Sequence, residues 1–255
     1  MSKNIIFIVN IKDPEKSTRV TPYQISIDSW KNWAKNNNSE VFVLEDRIYP
    51  KEQMNPNWHK LFVFDLLETN NIKYDQIMIV DADTIIHPNA PNIFNQTEYK
   101  FCAIHNEGSY DWICRSMENY SKYLFNNYKF PIWEYINSGV LIMNKKHRFF
   151  YKKIIKYYLD NIQNILNMQK TFGVGTDQPI INFFMHIENI KFKILPYKWN
   201  MQEMNKKEIL GDDMLFTKLG WVYHYNGIPG GDNSTYHWMK KTEEYFNKLK
   251  NNNNE

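Results

Sequence analysis

The most constraining feature of this chain is a short apolar run that ends in two carboxylates. Ile77 to Val80 lead directly into Asp81-Ala82-Asp83, within "YDQIMIVDADTIIHPNA". Four consecutive apolar, mostly β-branched residues predict a strand buried on both faces. Two residues apart on a strand, Asp81 and Asp83 would point to one face about 6–7 Å apart. Like charges that close are costly unless something positive lies between them. The chain must therefore form a buried sheet whose strand end carries an acidic pair, and supply or recruit a counter-charge there. A divalent cation answers the requirement, and oxygen ligands favour Mg²⁺ or Mn²⁺. The plain alternative is a capped strand end, with either aspartate closing the following turn.

The rest of the chain alternates strand and helix patterns. Asn4–Ile11, Glu40–Asp46 and Lys100–Asn106 predict strands, and Ile25–Ala34 and Trp58–Asn70 predict amphipathic helices. Lys12 to Pro22 form a polar loop with turn residues. Further on, Tyr135–Asn144 predicts a strand and Lys145–Lys170 a long helix. A helix starts near Thr176 or Asp177. "IKFKILP" and "GWVYHYNG" predict two more strands, and a last helix runs roughly from Thr242 to Lys250. This order predicts an α/β fold with a Rossmann-like, mostly parallel central sheet flanked by helices. In such sheets ligands bind at the carboxyl ends of the strands, which is where Asp81 and Asp83 fall. The expected layout is one domain over residues 1–250, followed by a disordered tail at 251–255.

With 255 residues and 43% hydrophobic content, a large core is available. The net charge of +3 is too balanced for nucleic-acid binding. No stretch reaches the length of a membrane span, and the N-terminus lacks the apolar core of a signal peptide. A soluble, cytoplasmic protein is the expectation, and two cysteines, Cys102 and Cys114, read as reduced thiols.

Four segments occur in a telling order: "KYDQIMIVDADTIIHPN", "YINSGVLIMN", "GTDQPIINFF" and "WVYHYNG". Together they resemble the retaining nucleotide-sugar glycosyltransferases of family 8, the glycogenin and galactosyltransferase type, which have the GT-A fold. The resemblance runs from about Trp58 to Gly227. It implies a nucleotide-binding half at 1–106 and a smaller acceptor and donor-sugar half at 107–250. It also implies that Asp81, Asp83 and His224 hold Mn²⁺ or Mg²⁺; His87 and His105 are the rivals nearer in sequence. Lys60, Ala82, Asn137, Ser138, Gly139 and Gly227 would bind the donor. Asp177 and Gln178 would lie at the reacting face, with Asp177 stabilising positive charge at the anomeric carbon. Taken alone, Lys60 could be a solvated helix lysine and Asp177 an N-cap.

The activity implied is transfer of a sugar from a nucleotide diphosphate, most simply a UDP-sugar, to a hydroxyl acceptor with retention. Trp112, Trp133, Trp199 and Trp238 are candidate sugar platforms, with burial in the core as the alternative. One departure stands out. The family often continues H-x-x-G-x-x-K-P-W, whereas this chain reads "HYNGIPGGD", with Gly230 at the lysine position and Gly231-Asp232 after it. Either a glycine-rich loop offering backbone N–H groups, or Lys240 or Lys241, would then serve the diphosphate, or the donor site is weakened. Two other classes stay open: a silent nucleotide-sugar or glycan-binding protein, and a phosphatase or phosphotransferase in which Asp81 is the nucleophile.

Overall fold

The computed structural model describes residues 3–11, 20–204 and 218–252. Most of the predicted loop after the first strand, residues 12–19, and positions 253–255 of the predicted tail lie outside them. In chain order the elements are β1 (Lys3–Val9), α1 (Val20–Lys35), β2 (Ser39–Leu44), α2 (Val63–Thr69), β3 (Tyr74–Val80) and β4 (Thr84–Ile86). Then follow β5 (Phe101–His105), α3 (Tyr110–Leu124), β6 (Ile136–Asn144), α4 (Arg148–Phe172), α5 (Asp177–Ile187), β7 (Phe192–Ile194), β8 (Val222–His224) and α6 (Gly231–Asn252).

Six strands form the central sheet in the order β2-β1-β3-β6-β5-β7. All the neighbouring pairs are parallel except those of β6, which runs against both β3 and β5. The apolar runs have their explanation in the two faces of this sheet. Phe7, Ile77, Ile79, Leu141 and Met143 point into the core beneath α2 to α5. Their neighbours Ile6, Ile8, Met78, Val80, Val140 and Ile142 point into a second core shared with Trp30 and Trp33 of α1. Both faces are dry, so alternation disappears from the sequence.

Several expectations are corrected. The predicted helix Trp58–Asn70 is broken into a 3-10 segment, Pro56–Phe62, and α2. Trp58 to Phe62 are all buried, so this stretch has no wet face for an amphipathic helix to present. The long helix starts at Arg148, after a 3-10 turn at Lys145–His147, and bends at Asn161, whose φ is −127°. It ends at Gly173, which takes the left-handed φ of +58° that glycine adopts without strain. Helix α3 has no counterpart in the sequence reading: two of its four buried residues are serines, which thins its apolar stripe. Helix α6 begins eleven residues before the predicted start and still includes Asn251 and Asn252, so those two do not belong to a tail.

A second small sheet pairs β4 with β8, antiparallel, with Thr84 opposite His224. Ile85, Tyr223, Tyr225, Met239 and Phe246 pack between it and α6. Among the described residues no helix is long and apolar enough to cross a membrane.

Candidate functional site

The acidic pair lies in the turn between β3 and β4, just past the carboxyl end of β3. Asp83 is therefore held by a turn and not by strand alternation. Thr84 Oγ1 closes that turn by donating to the Asp81 carbonyl at 2.7 Å, and it accepts from Trp30 Nε1 at 2.9 Å. Neither aspartate side chain is needed as a cap, so both remain directed at the cleft. That cleft, about 170 Å³, is lined by Val9 to Ile11, Pro56, Asn57, Lys60 and Asp81 to Asp83.

Antiparallel β6 explains why residues far along the chain arrive here. Its amino end abuts the carboxyl end of β3: Val140 pairs with Val80, and the Asp81 N–H donates to the Gly139 carbonyl at 2.9 Å. Asn137, Ser138 and Gly139 thus flank the acidic turn. The pairing of β8 with β4 delivers His224, whose Nε2 lies 3.1 Å from Asp83 Oδ1 and 3.8 Å from Asp81 Oδ2. One ligand atom from each of Asp81, Asp83 and His224 falls within 4.8 Å of the others, a spacing that could hold a metal ion. His87 is turned away, edge-on to Trp221 and Phe246, and His105 is exposed at the end of β5.

Lys60 is no solvated lysine. Its side chain is 3% exposed, with Nζ 2.6 Å from Asp81 Oδ1 and 3.1 Å from Asp177 Oδ2. Burial alone would lower its pKa, and Asp177 and Asp81 together raise it instead. Asp177 is no N-cap either. Its Oδ1 accepts from Asn57 Nδ2 at 2.6 Å and Thr176 Oγ1 at 2.9 Å, and Oδ2 accepts from Ser138 Oγ at 3.0 Å. Burial works to raise the Asp177 carboxyl, but Lys60 and the Asn57 amide outweigh it and hold it below the usual carboxylate range. For His224 burial works downward, and Asp83 and Asp81 outweigh it, raising the imidazole.

The amide of Gln178 accepts the Ser138 N–H at 3.0 Å through Oε1. Its Nε2 and the Tyr135 hydroxyl, close enough to influence one another, both lack a well-aligned hydrogen bond among the described residues. Asn137 is turned inward: Oδ1 accepts the Gly139 N–H at 2.8 Å, and Nδ2 donates to Asn106 Oδ1 at 3.1 Å. Gly139 is needed for a close approach, because a Cβ there would stand 2.3 Å from His224 Cε1. Ala82 lines the cleft between the two aspartates. Gly227 sits two residues past Tyr225 with a φ of +65°, and none of the described residues comes within 4 Å of where its Cβ would be.

The departure from the family pattern also has a shape. Gly230 and Gly231 have φ of +95° and +69°, and a Cβ on Gly230 would meet Ser234 Oγ at 2.3 Å. Lys240 pairs with Glu243 at 2.9 Å, and Lys241 stacks over Trp238. Of the four tryptophans, Trp199 is fully buried, Trp133 is 71% exposed, and Trp112 and Trp238 are half-buried. Asn57 and Asn200, the latter 3.0 Å from His224 Nδ1, were not singled out from sequence. Both are uncharged members of an asparagine-rich chain, and only their position after Pro56 and at the end of "YKWN" distinguishes them.

No protein-family model matches the chain, and no curated protein does. Among solved structures it is similar to a glycosyltransferase involved in the glycosylation of the major capsid of PBCV-1, at 12% identity and a TM-score of 0.62. That match covers 94% of this chain and 99% of the other. It is also similar to the glycosyltransferase GlyE of Streptococcus pneumoniae TIGR4, at 11% identity and a TM-score of 0.51, and to the bifunctional glycosyltransferase WbbM, at 12% and 0.50. The chain spans 62% of the length of GlyE and 51% of that of WbbM. These likenesses show the fold: an α/β glycosyltransferase fold of the GT-A type, as the sequence resemblance implied.

Proposed function

We propose that this protein is a metal-dependent glycosyltransferase of the family 8 kind. It would move a sugar from a nucleotide diphosphate, most simply a UDP-sugar, to a hydroxyl acceptor with retention. Residues 1–106 would serve the nucleotide and 107–250 the donor sugar and acceptor. The observation that carries the reading is the meeting of Asp81, Asp83 and His224 at the carboxyl end of β3, in a fold shared with glycosyltransferases.

The residues present fit a divalent cation. Three carboxylates, Asp81, Asp83 and Asp177, face one ammonium, Lys60, which leaves a deficit of two positive charges when His224 is neutral. Two carboxylates and an imidazole suit Mn²⁺, and Mg²⁺ less well. A bound cation would neutralise the diphosphate as it leaves. The chain's own residues do the rest. Lys60 fixes the Asp81 carboxylate and keeps the buried Asp177 charged. Asp177, with both oxygens already accepting hydrogen bonds, acts as a fixed negative charge that stabilises a cationic anomeric centre, rather than as a nucleophile. Gln178, buried with its Nε2 beside the Tyr135 hydroxyl, supports Ser138 by accepting its N–H.

The test is nucleotide release from a panel of nucleotide sugars, with Mn²⁺ and with chelator, for the wild type and Asp83→Ala. Release of one nucleotide that needs the metal and Asp83 supports the reading and identifies the donor. Metal-dependent binding without release, with every acceptor class tried, favours a silent binder. Phosphate release from simple phosphate esters with no nucleotide-sugar turnover favours the phosphatase class.

A further inference from the structure

We infer that Asn200 is a positioning residue for the metal site: it holds the proton of neutral His224 on Nδ1 and so directs the Nε2 lone pair at Asp81 and Asp83. The inference rests on the metal reading above for its purpose, but its geometry stands by itself.

The direction of the relay is set by a group that cannot reverse. The Gly139 backbone N–H can only donate, and it donates to Asn137 at 2.8 Å, so the Asn137 atom it meets is the oxygen. That same oxygen lies 2.9 Å from the Asn200 amide, so Asn200 must present its NH₂ there. Its oxygen is then the atom left to face His224 Nδ1, at 3.0 Å. An oxygen acceptor demands N–H at Nδ1, which in the neutral ring leaves Nε2 as the lone pair. The assignment of tautomer follows from one backbone N–H two side chains away. Asn200 and His224 are buried, 0% and 3% exposed, so water does not compete for these bonds.

Consider the other tautomer. Nδ1 would then oppose its lone pair to the Asn200 oxygen, and Nε2–H would point at Asp83 Oδ1, 3.1 Å away. That ring would satisfy Asp83 and repel a cation. The relay excludes it. An asparagine here achieves what a carboxylate or carbonyl achieves behind many metal-binding histidines, without adding negative charge to an already acidic cluster.

The experiment combines Mn²⁺ binding, followed by electron paramagnetic resonance, with nitrogen NMR of the imidazole. In the wild type, Mn²⁺ should show a ¹⁴N coupling that His224→Ala abolishes. In Asn200→Leu the Mn²⁺ Kd should rise by about 10–100-fold and the coupling weaken. Asn200→Asp keeps an oxygen opposite Nδ1 but sets its other oxygen against that of Asn137, so the coupling should persist with a smaller loss of affinity than in Asn200→Leu. An unchanged Kd and coupling in a folded Asn200→Leu protein would overturn the inference.

The wild type alone supplies a second readout, which stands if Asn200→Leu does not fold. His224 Nδ1 should carry a proton that exchanges slowly with solvent, in the Zn²⁺-loaded protein and in the metal-free protein at a pH where the ring is neutral. A bare Nδ1, or one exchanging at the solvent rate, overturns the inference. No Mn²⁺ binding in the wild type would sink the metal reading instead, while the Nδ1 proton still decides the relay.

Discussion

Lys60 and Asp177 form an ion pair of 3.1 Å with side chains only 3% and 6% exposed, and the same ammonium reaches Asp81. A lysine so placed has no water to fall back on. Removing it leaves the buried Asp177 without its counter-charge beside a partly exposed Asp81, which is far costlier than losing a surface pair. Lys60→Met is expected to destabilise the protein by about 3–5 kcal/mol in urea unfolding. The double variant Lys60→Met with Asp177→Asn should recover most of that loss, because one uncompensated charge goes with its partner. A loss below about 1 kcal/mol for Lys60→Met would show the lysine to be solvated.

Gly139 and Gly227, both expected beside the donor, are distinguished by what surrounds them. At Gly139 a methyl group would stand 2.3 Å from His224 Cε1 and 2.8 Å from Asn137 Oδ1. Gly139→Ala should therefore push the imidazole off its seat. Mn²⁺ affinity would fall sharply, and stability by about 1–3 kcal/mol. Among the described residues nothing stands within 4 Å of a Cβ on Gly227, so its φ of +65° is the obstacle to a side chain. Gly227→Ala should cost about 1–2 kcal/mol and leave Mn²⁺ affinity unchanged. Parallel Mn²⁺ titrations and urea melts of the two variants separate these effects; equal metal affinities in the two would contradict the seat described for His224.

These two cases show what was legible. The buried strand, the acidic pair at its tip and the segments around Ser138, Asp177 and His224 stood out because charge or glycine beside an apolar run is rare and local. The antiparallel course of β6 was not legible, since a strand buried on both faces reads the same in either direction. Nor were β4, only three residues long, or α3, whose inner face carries Ser116 and Ser121. Asn57 and Asn200 were hidden by chemistry: an amide becomes informative only when its neighbours in space are known. The engagement of Asp177 by Asn57 and Lys60 depends on the 3-10 segment Pro56–Phe62, whose departure from α-helical spacing reflects burial on every side.

The thiols offer a test of the core that is independent of the site. Cys102 lies in β5, fully buried, and burial pushes its thiol up to about 11. The thiolate is the reactive form, so at pH 8 only about one Cys102 in a thousand would be ionised, and reagent would also lack access. Cys114 on α3 is partly exposed. Iodoacetamide at pH 8 is expected to modify Cys114 in the native protein and Cys102 only after unfolding, as read by mass spectrometry of peptides. Rapid native labelling of Cys102 would mean that β5 is not enclosed as described.

The tryptophans divide in the same way between core and surface, and here the division bears on the acceptor. Trp199 is fully buried among the side chains beneath α1 and lies 6.3 Å from Trp221, ring to ring. Its truncation should act through packing: Trp199→Ala is expected to cost about 3–5 kcal/mol. Trp133 is 71% exposed, just before β6, whose first residues flank the acidic turn. An exposed indole that the fold does not need has surface to offer a sugar ring, by stacking and apolar contact. Trp133→Ala should leave stability within about 0.5 kcal/mol of the wild type. Under the transferase reading it should raise the KM for the acceptor while nucleotide release in water, without acceptor, stays as it was. An acceptor KM that does not move would remove Trp133 from the acceptor surface, and a change in acceptor-free release would place its effect on the donor side instead.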